Sequence, residues 1–380
     1  MIKTKTLYFD TAATTPLDLR VADNMHKINK DIFGNPSSIH QAGQKSHNVI
    51  ERSRKKIAEL LSCKQSEIYF TSGGSESNNI ALRGVLNEGD HFITASYEHP
   101  AILEVAKYLE SKNVDISYVK PNLDGIVEPK DIANLIKPNT KLVSIMAVNN
   151  EIGTINPIYE ISDLCRSNNI YFHTDAVQYV GKKKIELNLS NIDMLSLGAH
   201  KFYGPKGVGA IFIKSGVKIN PYIFGGGQEK GIRPGTENPS LISGMCHALE
   251  IATEDLNKNS MHIKKMENLF VKLLNESKIN YKINGHSRLE GILNISFFDF
   301  DGHSLLLNLD MRNIAISFGS ACASGTAKAS PSLLSIGLKD DIAKNTVRIS
   351  IGKHIMEQDI YTLVDALKGI IQKWRKMKLF

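Results

Sequence analysis

A lysine directly after an apolar strand is poorly placed for solvation, and MLSLGAHKFYGPKGVGA puts Lys201 there, next to His200. Such an amine is either at a domain edge or a functional group with a lowered pKa, able to form a Schiff base with a carbonyl. Other polar residues stand at comparable places. FHTDAVQ delivers Asp175 and, three positions later, Gln178; TASYEHPAILE puts His99 on a strand-to-helix turn; AVNNEIG does the same for Asn149 and Asn150. In EIYFTSGGSESNN, the small residues Ser72, Gly73, Gly74 and Ser75 lead from a strand into a helix whose first N–H groups can bind phosphate.

Each piece alone has a plain reading. A strand-end carboxylate is often only a helix cap, a lone histidine is usually structural, and a glycine-rich turn is often only a turn. The glycines also lack the P-loop lysine and the Rossmann spacing. Together, though, a phosphate cradle, a carboxylate, an amine and an aromatic stacker specify pyridoxal 5'-phosphate better than any nucleotide. That coenzyme needs its phosphate anchored, its ring nitrogen kept protonated and its aldehyde held.

Cysteine adds a further group. Cys322 sits in ISFGSACASGTAKAS among Gly, Ala and Ser with no bulky neighbour to bury it. Cys63, Cys165 and Cys246 fall in amphipathic helices or at their ends, where cysteine behaves as a small hydrophobe. The four are far apart, with no Cys/His spacing suited to zinc, so no metal site is expected and reduced, cytoplasmic thiols are.

The elements that must position these groups are legible between Glu67 and Ile213, where EIYF, HFITA, KLVSIMAV, NIYFHTDA, MLSLGA and GVGAIFI alternate with amphipathic runs. This predicts an α/β domain with a mostly parallel sheet, ligands gathering beyond the strands' carboxyl ends. Later, ILNISFF, IAISF and VRISIG predict a smaller α+β domain, and Ile360, Leu363, Val364, Leu367, Ile370, Ile371 and Trp374 predict a C-terminal docking helix. The expected division is a large coenzyme-binding domain at 16–255 and a small domain of 1–15 and 256–380 carrying the Cys322 loop.

The 380 residues allow two or three domains with real cores, and 42% hydrophobic with 22% charged residues is ordinary globular usage. That excludes a disulfide-stapled miniprotein and a disordered chain. No run approaches a membrane span. The 46 Lys and Arg against 39 Asp and Glu leave +7, but one Trp and no aromatic-basic stripe argue against direct nucleic-acid binding.

YFDTAATTP (8–16), FGNPSSIHQAG (33–43), FTSGGSESNN (70–79), EHPAIL (98–103), VNNEIG (148–153), HTDAVQ (173–178), GAHKFYGPKGVGA (198–210), RPGTEN (233–238), GSACAS (319–324) and VRISIG (347–352) follow one another along the chain. With them the sequence strongly resembles the cysteine desulfurases, class V aminotransferases of the type I pyridoxal-phosphate fold. The resemblance implies that Lys201 carries the coenzyme, Asp175 pairs with its ring nitrogen and His99 stacks on the ring and shuttles protons. Gln178 and Asn150 would address the ring hydroxyl and the substrate side. Gly74, Ser75 and His200, with Thr236 from a second subunit of a homodimer, would bind phosphate. Arg348, helped by Asn35, would hold the carboxylate of L-cysteine, and Cys322 would take its sulfur as a persulfide, leaving L-alanine. The sulfur would pass to a protein acceptor, an iron-sulfur scaffold or a tRNA-thiolation enzyme. Gly198 stands where the family usually offers the phosphate a serine hydroxyl. Selenocysteine lyase or another type I pyridoxal-phosphate enzyme is the alternative, and Cys322 in its small-residue loop argues against a transaminase.

Overall fold

The computed structural model describes residues 6–298, 300–318 and 329–377. Its first strand, β1 (Leu7–Tyr8), is followed by seven that form one sheet: β2 (Ile68–Thr71), β3 (His91–Ala95), β4 (Asp115–Val119), β5 (Thr140–Ser144), β6 (Tyr171–Asp175), β7 (Met194–Gly198) and β8 (Gly209–Ile213). The order across the sheet is β2-β8-β7-β6-β5-β3-β4. All neighbours run parallel except around β8, which is antiparallel to both β2 and β7. The fold class is therefore α/β with a mostly parallel sheet. Every residue of β3, β7 and β8 is buried, because helices cover both faces and the strands need no polar alternation.

The alternation of apolar and amphipathic runs predicted six of these seven strands. The seventh, β4, reads DISYV and lies at the sheet edge, where only Val119 is buried. An edge strand with one solvated side has no reason to be uniformly apolar, so its sequence carries a weak signal.

Four further strands follow: β9 (Tyr281–Asn284), β10 (Ile292–Phe297), β11 (Ile314–Ala315) and β12 (Thr346–Ser350). β12, β10 and β9 make an antiparallel sheet in that order, and β11 pairs parallel with β1. The helix Glu357–Met377 buries Ile360, Leu363, Val364, Leu367, Ile370 and Ile371 in the core of this smaller layer, with Trp374 packed against it. The predicted docking face is thus the one used. Phe9 is buried in the same core, while Leu289, Ile292, Leu333, Ile336 and Ala343 pack into the core of the large sheet. The chain therefore crosses between layers at both ends, and residues 10–15 run over the carboxyl ends of the large sheet. No helix among the described residues is long and apolar enough to cross a membrane.

Candidate active site

The chain leaves β3 toward β4 on one side and β5 toward β6 on the other, so the sheet has a topological switch point between β3 and β5. Segments beyond the carboxyl ends of β2, β3, β5, β6 and β7 line a cavity of about 490 Å³ there. Of the residues predicted from sequence, it brings together Gly74, Ser75, His99, Asn150, Asp175, Gln178, His200, Lys201 and Arg348. Asn35 and Thr236 are not among its lining residues, and Cys322 lies outside the described residues.

Lys201 ends a 3-10 turn, Ala199–Lys201, that follows β7 directly. Its Nζ donates to the carbonyl oxygens of Ala12 at 2.6 Å and Ala13 at 2.8 Å. Burial lowers its pKa to about 8, Arg348 pushing the same way while Asp175 and Asp10 oppose. A much larger neutral fraction exists near neutrality than for a solvated lysine, which suits a nucleophile or base.

Asp175, the last residue of β6, is buried; its Oδ2 accepts from Asn78 Nδ2 at 2.7 Å and its Oδ1 from Val177 N–H at 3.0 Å. The carboxylate is thereby aimed rather than free to rotate. His99 caps the helix Pro100–Glu110, its Nδ1 accepting from Ala101 N–H at 3.1 Å. That bond leaves the ring proton on Nε2 when the imidazole is neutral. Burial lowers its pKa, with Lys201 adding to the effect and Asp175 opposing it. His200 is held at about 4 by burial and by the cations Lys201, Lys206 and Lys182, so at pH 7 it is neutral, with Nδ1 3.1 Å from Thr14 Oγ1.

At the other end of the cavity, Gly74 and Ser75 open the twelve-residue helix Gly74–Val85, whose first N–H groups have no intrahelical partners. Gly73 sits at φ 153° and ψ −176°, a region open to glycine but not to other residues. A Cβ on Gly74 would come within 2.6 Å of Val177 Cγ2, so a side chain there would force Val177 to shift. At Gly198, a Cβ would stand 3.5 Å from Gly74 N and 3.6 Å from the His200 ring, an ordinary contact on unstrained backbone. The phosphate side thus admits a Cβ at this position.

Arg348 on β12 is 2% exposed and bridges the two layers: one terminal nitrogen donates to Asn150 O at 2.7 Å, the other to Asp10 Oδ1 at 2.8 Å. Its Nε is buried without a partner. Sequence reasoning missed Asn78 and Asp10, as well as the carbonyls of Ala12 and Ala13, although SGGSESNN and YFDTAATTP contain them. Backbone acceptors carry no residue-type signal, and Asn78 acts only through Asp175. It also missed Glu98, buried in the cavity wall with Oε1 accepting from Met146 N–H and its pKa raised well above normal by burial.

Residues 7–363 match the sequence profile of the aminotransferase class-V family. The chain belongs to that family. It is 41% identical over 375 residues to the cysteine desulfurase IscS of Dictyoglomus turgidum, covering 97% of this chain and 95% of that one. Among solved structures, a NifS-like protein superposes with a TM-score of 0.91 at 35% identity, covering 97% of this chain and 99% of the other. SspA in complex with cysteine superposes with a TM-score of 0.83 at 37% identity, over 92% and 100% of the two chains.

Within this class-V frame the remaining thiols are structural. Cys63, Cys165 and Cys246 are unpaired, and burial pushes each of them up to about 12. At neutral pH they are protonated and therefore poor nucleophiles. Both described flanks of the Cys322 segment are tied to the cavity. Ser317 lines it, and Ser330 and Ser332 donate to the carboxylate of Glu151, which lines it too.

Proposed function

We propose that the chain is a pyridoxal-phosphate-dependent cysteine desulfurase, converting L-cysteine to L-alanine and an enzyme-bound persulfide. The observation that carries this reading is the convergence on one cavity of a lysine with pKa about 8, an aimed aspartate and a helix N-terminus. These residues fit the coenzyme. Lys201 would hold its aldehyde, Asp175 its ring nitrogen, Gln178 its ring oxygen, and Gly74, Ser75 and His200 its phosphate, while the buried, unpartnered Asn78 Oδ1 leaves the wall one acceptor to spare. Bound there, pyridoxal phosphate supplies an electron sink that stabilises negative charge at the substrate Cα.

The chain's own groups supply the rest. Arg348 binds the substrate carboxylate, and Asn150 packs beside it. Lys201 Nζ takes the Cα proton, and His99 Nε2 carries protons at the substrate's leaving end. The Cys322 thiolate attacks the substrate sulfur and keeps it as a persulfide; the C–S electron pair stays with the carbon fragment, which takes up protons to become L-alanine. The persulfide is available to a protein acceptor such as an iron-sulfur scaffold or a tRNA-thiolation enzyme. Three unpaired cysteines suit a reducing, cytoplasmic setting.

The reading includes a homodimer in which Thr236 is exchanged between subunits, while Asn35 helps Arg348. Each is exposed and adjoins a residue, Pro36 or Glu237, that lines a separate cleft of about 1060 Å³ crossed by the buried Arg54–Glu229 ion pair. In this reading Thr236 would serve the phosphate of a second copy's cavity.

The test is to incubate coenzyme-loaded protein with cysteine and a thiol, then measure alanine and sulfide together. The native chain should produce both in equal amounts. Cys322→Ser should take up coenzyme and cysteine with normal spectra yet release sulfide at background. Preferential turnover of selenocysteine would instead identify a selenocysteine lyase.

A further inference from the structure

Gln178 is nearly fully buried, and its amide is gripped from both ends. Its Nε2 donates to Ala12 O at 2.6 Å, the same carbonyl that Lys201 Nζ reaches at 2.6 Å. Its Oε1 accepts from Lys182 Nζ at 2.7 Å. A local turn makes this second contact: Lys182 N–H donates to Tyr179 O at 3.0 Å, and Gly181 adopts φ +77° with its Cα so close to Phe202 that a Cβ would meet the Phe202 Cβ at 2.6 Å. The chain therefore doubles back beneath Gln178 at a position that only glycine allows, and Lys182 is the residue it delivers.

Among the described residues, Lys182 forms no ion pair with a carboxylate, and the charged groups that act on it, Lys201 and Arg348, are both cations. Burial together with these neighbours lowers it to about 7. A buried amine in repulsive company costs stability, so the fold retains it at this place against an energetic gradient.

We propose that Lys182 is a positioning residue for the coenzyme: by holding the oxygen of the Gln178 amide it fixes the donor end of that amide toward the cavity. This rests on the reading of the cavity as a pyridoxal-phosphate site. An amide can turn over and present either its acceptor or its donors at little intrinsic cost. In its protonated form the Lys182 amine has only hydrogens to offer, so it selects the oxygen, as its 2.7 Å contact with Oε1 shows, and commits Nε2 to the side where an anionic ring oxygen must be received. The Ala12 carbonyl enforces the same sense, but Lys201 also uses that oxygen, and loading the coenzyme on Lys201 changes its company. The Lys182 contact lies behind the amide and is independent of that change.

A double-mutant cycle on coenzyme release tests this. Dissociation of pyridoxal phosphate is followed by absorbance in competition dialysis for the native chain, Lys182→Met, Gln178→Ala and the double variant, with Lys182→Arg as the conservative replacement. The thermal midpoint of each coenzyme-free protein is measured alongside. Lys182→Met should speed release about three- to tenfold in the native background, one hydrogen bond's effect, and less than twofold in the Gln178→Ala background. Lys182→Arg should release at close to the native rate. Equal acceleration in both backgrounds would mean that Lys182 supports the fold generally, and no acceleration in either would mean that it does not act; each overturns the proposal. Should Lys182→Met fail to fold, Lys182→Leu and Lys182→Gln enter the same cycle, and collapse of all three while Lys182→Arg folds would also overturn it, assigning the residue to stability. If the native chain takes up no coenzyme at Lys201, the reading of the cavity itself has failed, a result separate from these.

Discussion

At Gly198 a missing side chain has a measurable meaning. A Cβ at this position would sit in ordinary contact, 3.5 Å from Gly74 N and 3.6 Å from the His200 ring, and its backbone, at φ −137°, admits any residue. Gly198→Ser should therefore add one neutral hydrogen bond to the phosphate without displacing anything. Such a bond contributes about 0.5 to 1.5 kcal/mol net, or roughly two- to tenfold in dissociation constant. Competition dialysis of pyridoxal phosphate should show coenzyme loss slowed by that factor; unchanged loss would mean that a neighbour already fills the role. The lysine, aspartate, glutamine and histidines of the site were legible because each follows a strand end as a conspicuous type. Asp10 and Asn78 were not. Their importance lies in what they hold, Arg348 across 338 positions and Asp175 across 97, and separation in sequence conceals such pairs.

The strands carry a second consequence. His173, in the middle of β6, is wholly buried between Ser144 of β5, whose Oγ lies 2.8 Å from Nδ1, and Ser196 of β7, whose Oγ lies 2.9 Å from Nε2. Burial lowers its pKa to about 3. A group depressed in the folded state binds fewer protons there than in the unfolded chain, so stability is whole above the ordinary histidine pKa of about 6.5 and is lost as pH falls toward 3. The slope from this one residue is at most about 1.4 kcal/mol per pH unit. Denaturant titrations between pH 6.5 and 4 should give His173→Gln a shallower fall than the native chain by about one proton, whatever its absolute stability. A parallel fall in both would show that His173 is already protonated in the folded chain. The residue's position in a strand was plain from NIYFHTDA. That it bridges three strands depends on β5 and β7 both lying beside β6, which is a matter of sheet order.

At the scale of the whole molecule, the proposed homodimer makes a prediction about Thr236. If Thr236 serves the second copy, a mixed dimer of Lys201→Ala with Thr236→Ala concentrates both lesions in one site and leaves the other intact. Co-expressed and purified as the mixed species by two tags, it should recover close to half the native activity per dimer. Each variant alone should fall below that, Lys201→Ala to background. A mixed dimer no better than the average of its two parents would place Thr236 in its own subunit's site.

What the amino-acid sequence determined by itself is the local chemistry and the identity of the layers. Apolar runs at strand length, helical spacing in the last helix, and reactive types at strand ends are all written within about ten residues, the range over which secondary structure and burial are set. The tertiary structure decided the rest, because it depends on contacts between distant segments. It made β8 the antiparallel strand that lets β2 close the sheet and carry its glycine turn to β7, and it drew residues 10–15 over the sheet so that two plain alanine carbonyls receive Lys201. It turned Arg348 from a residue of the smaller layer into the link to Asp10 and Asn150. It also left Asn35 outside the cavity whose Arg348 it was expected to help. A carbonyl oxygen is the same in every residue, and only the path of the chain gives one of them a lysine to hold.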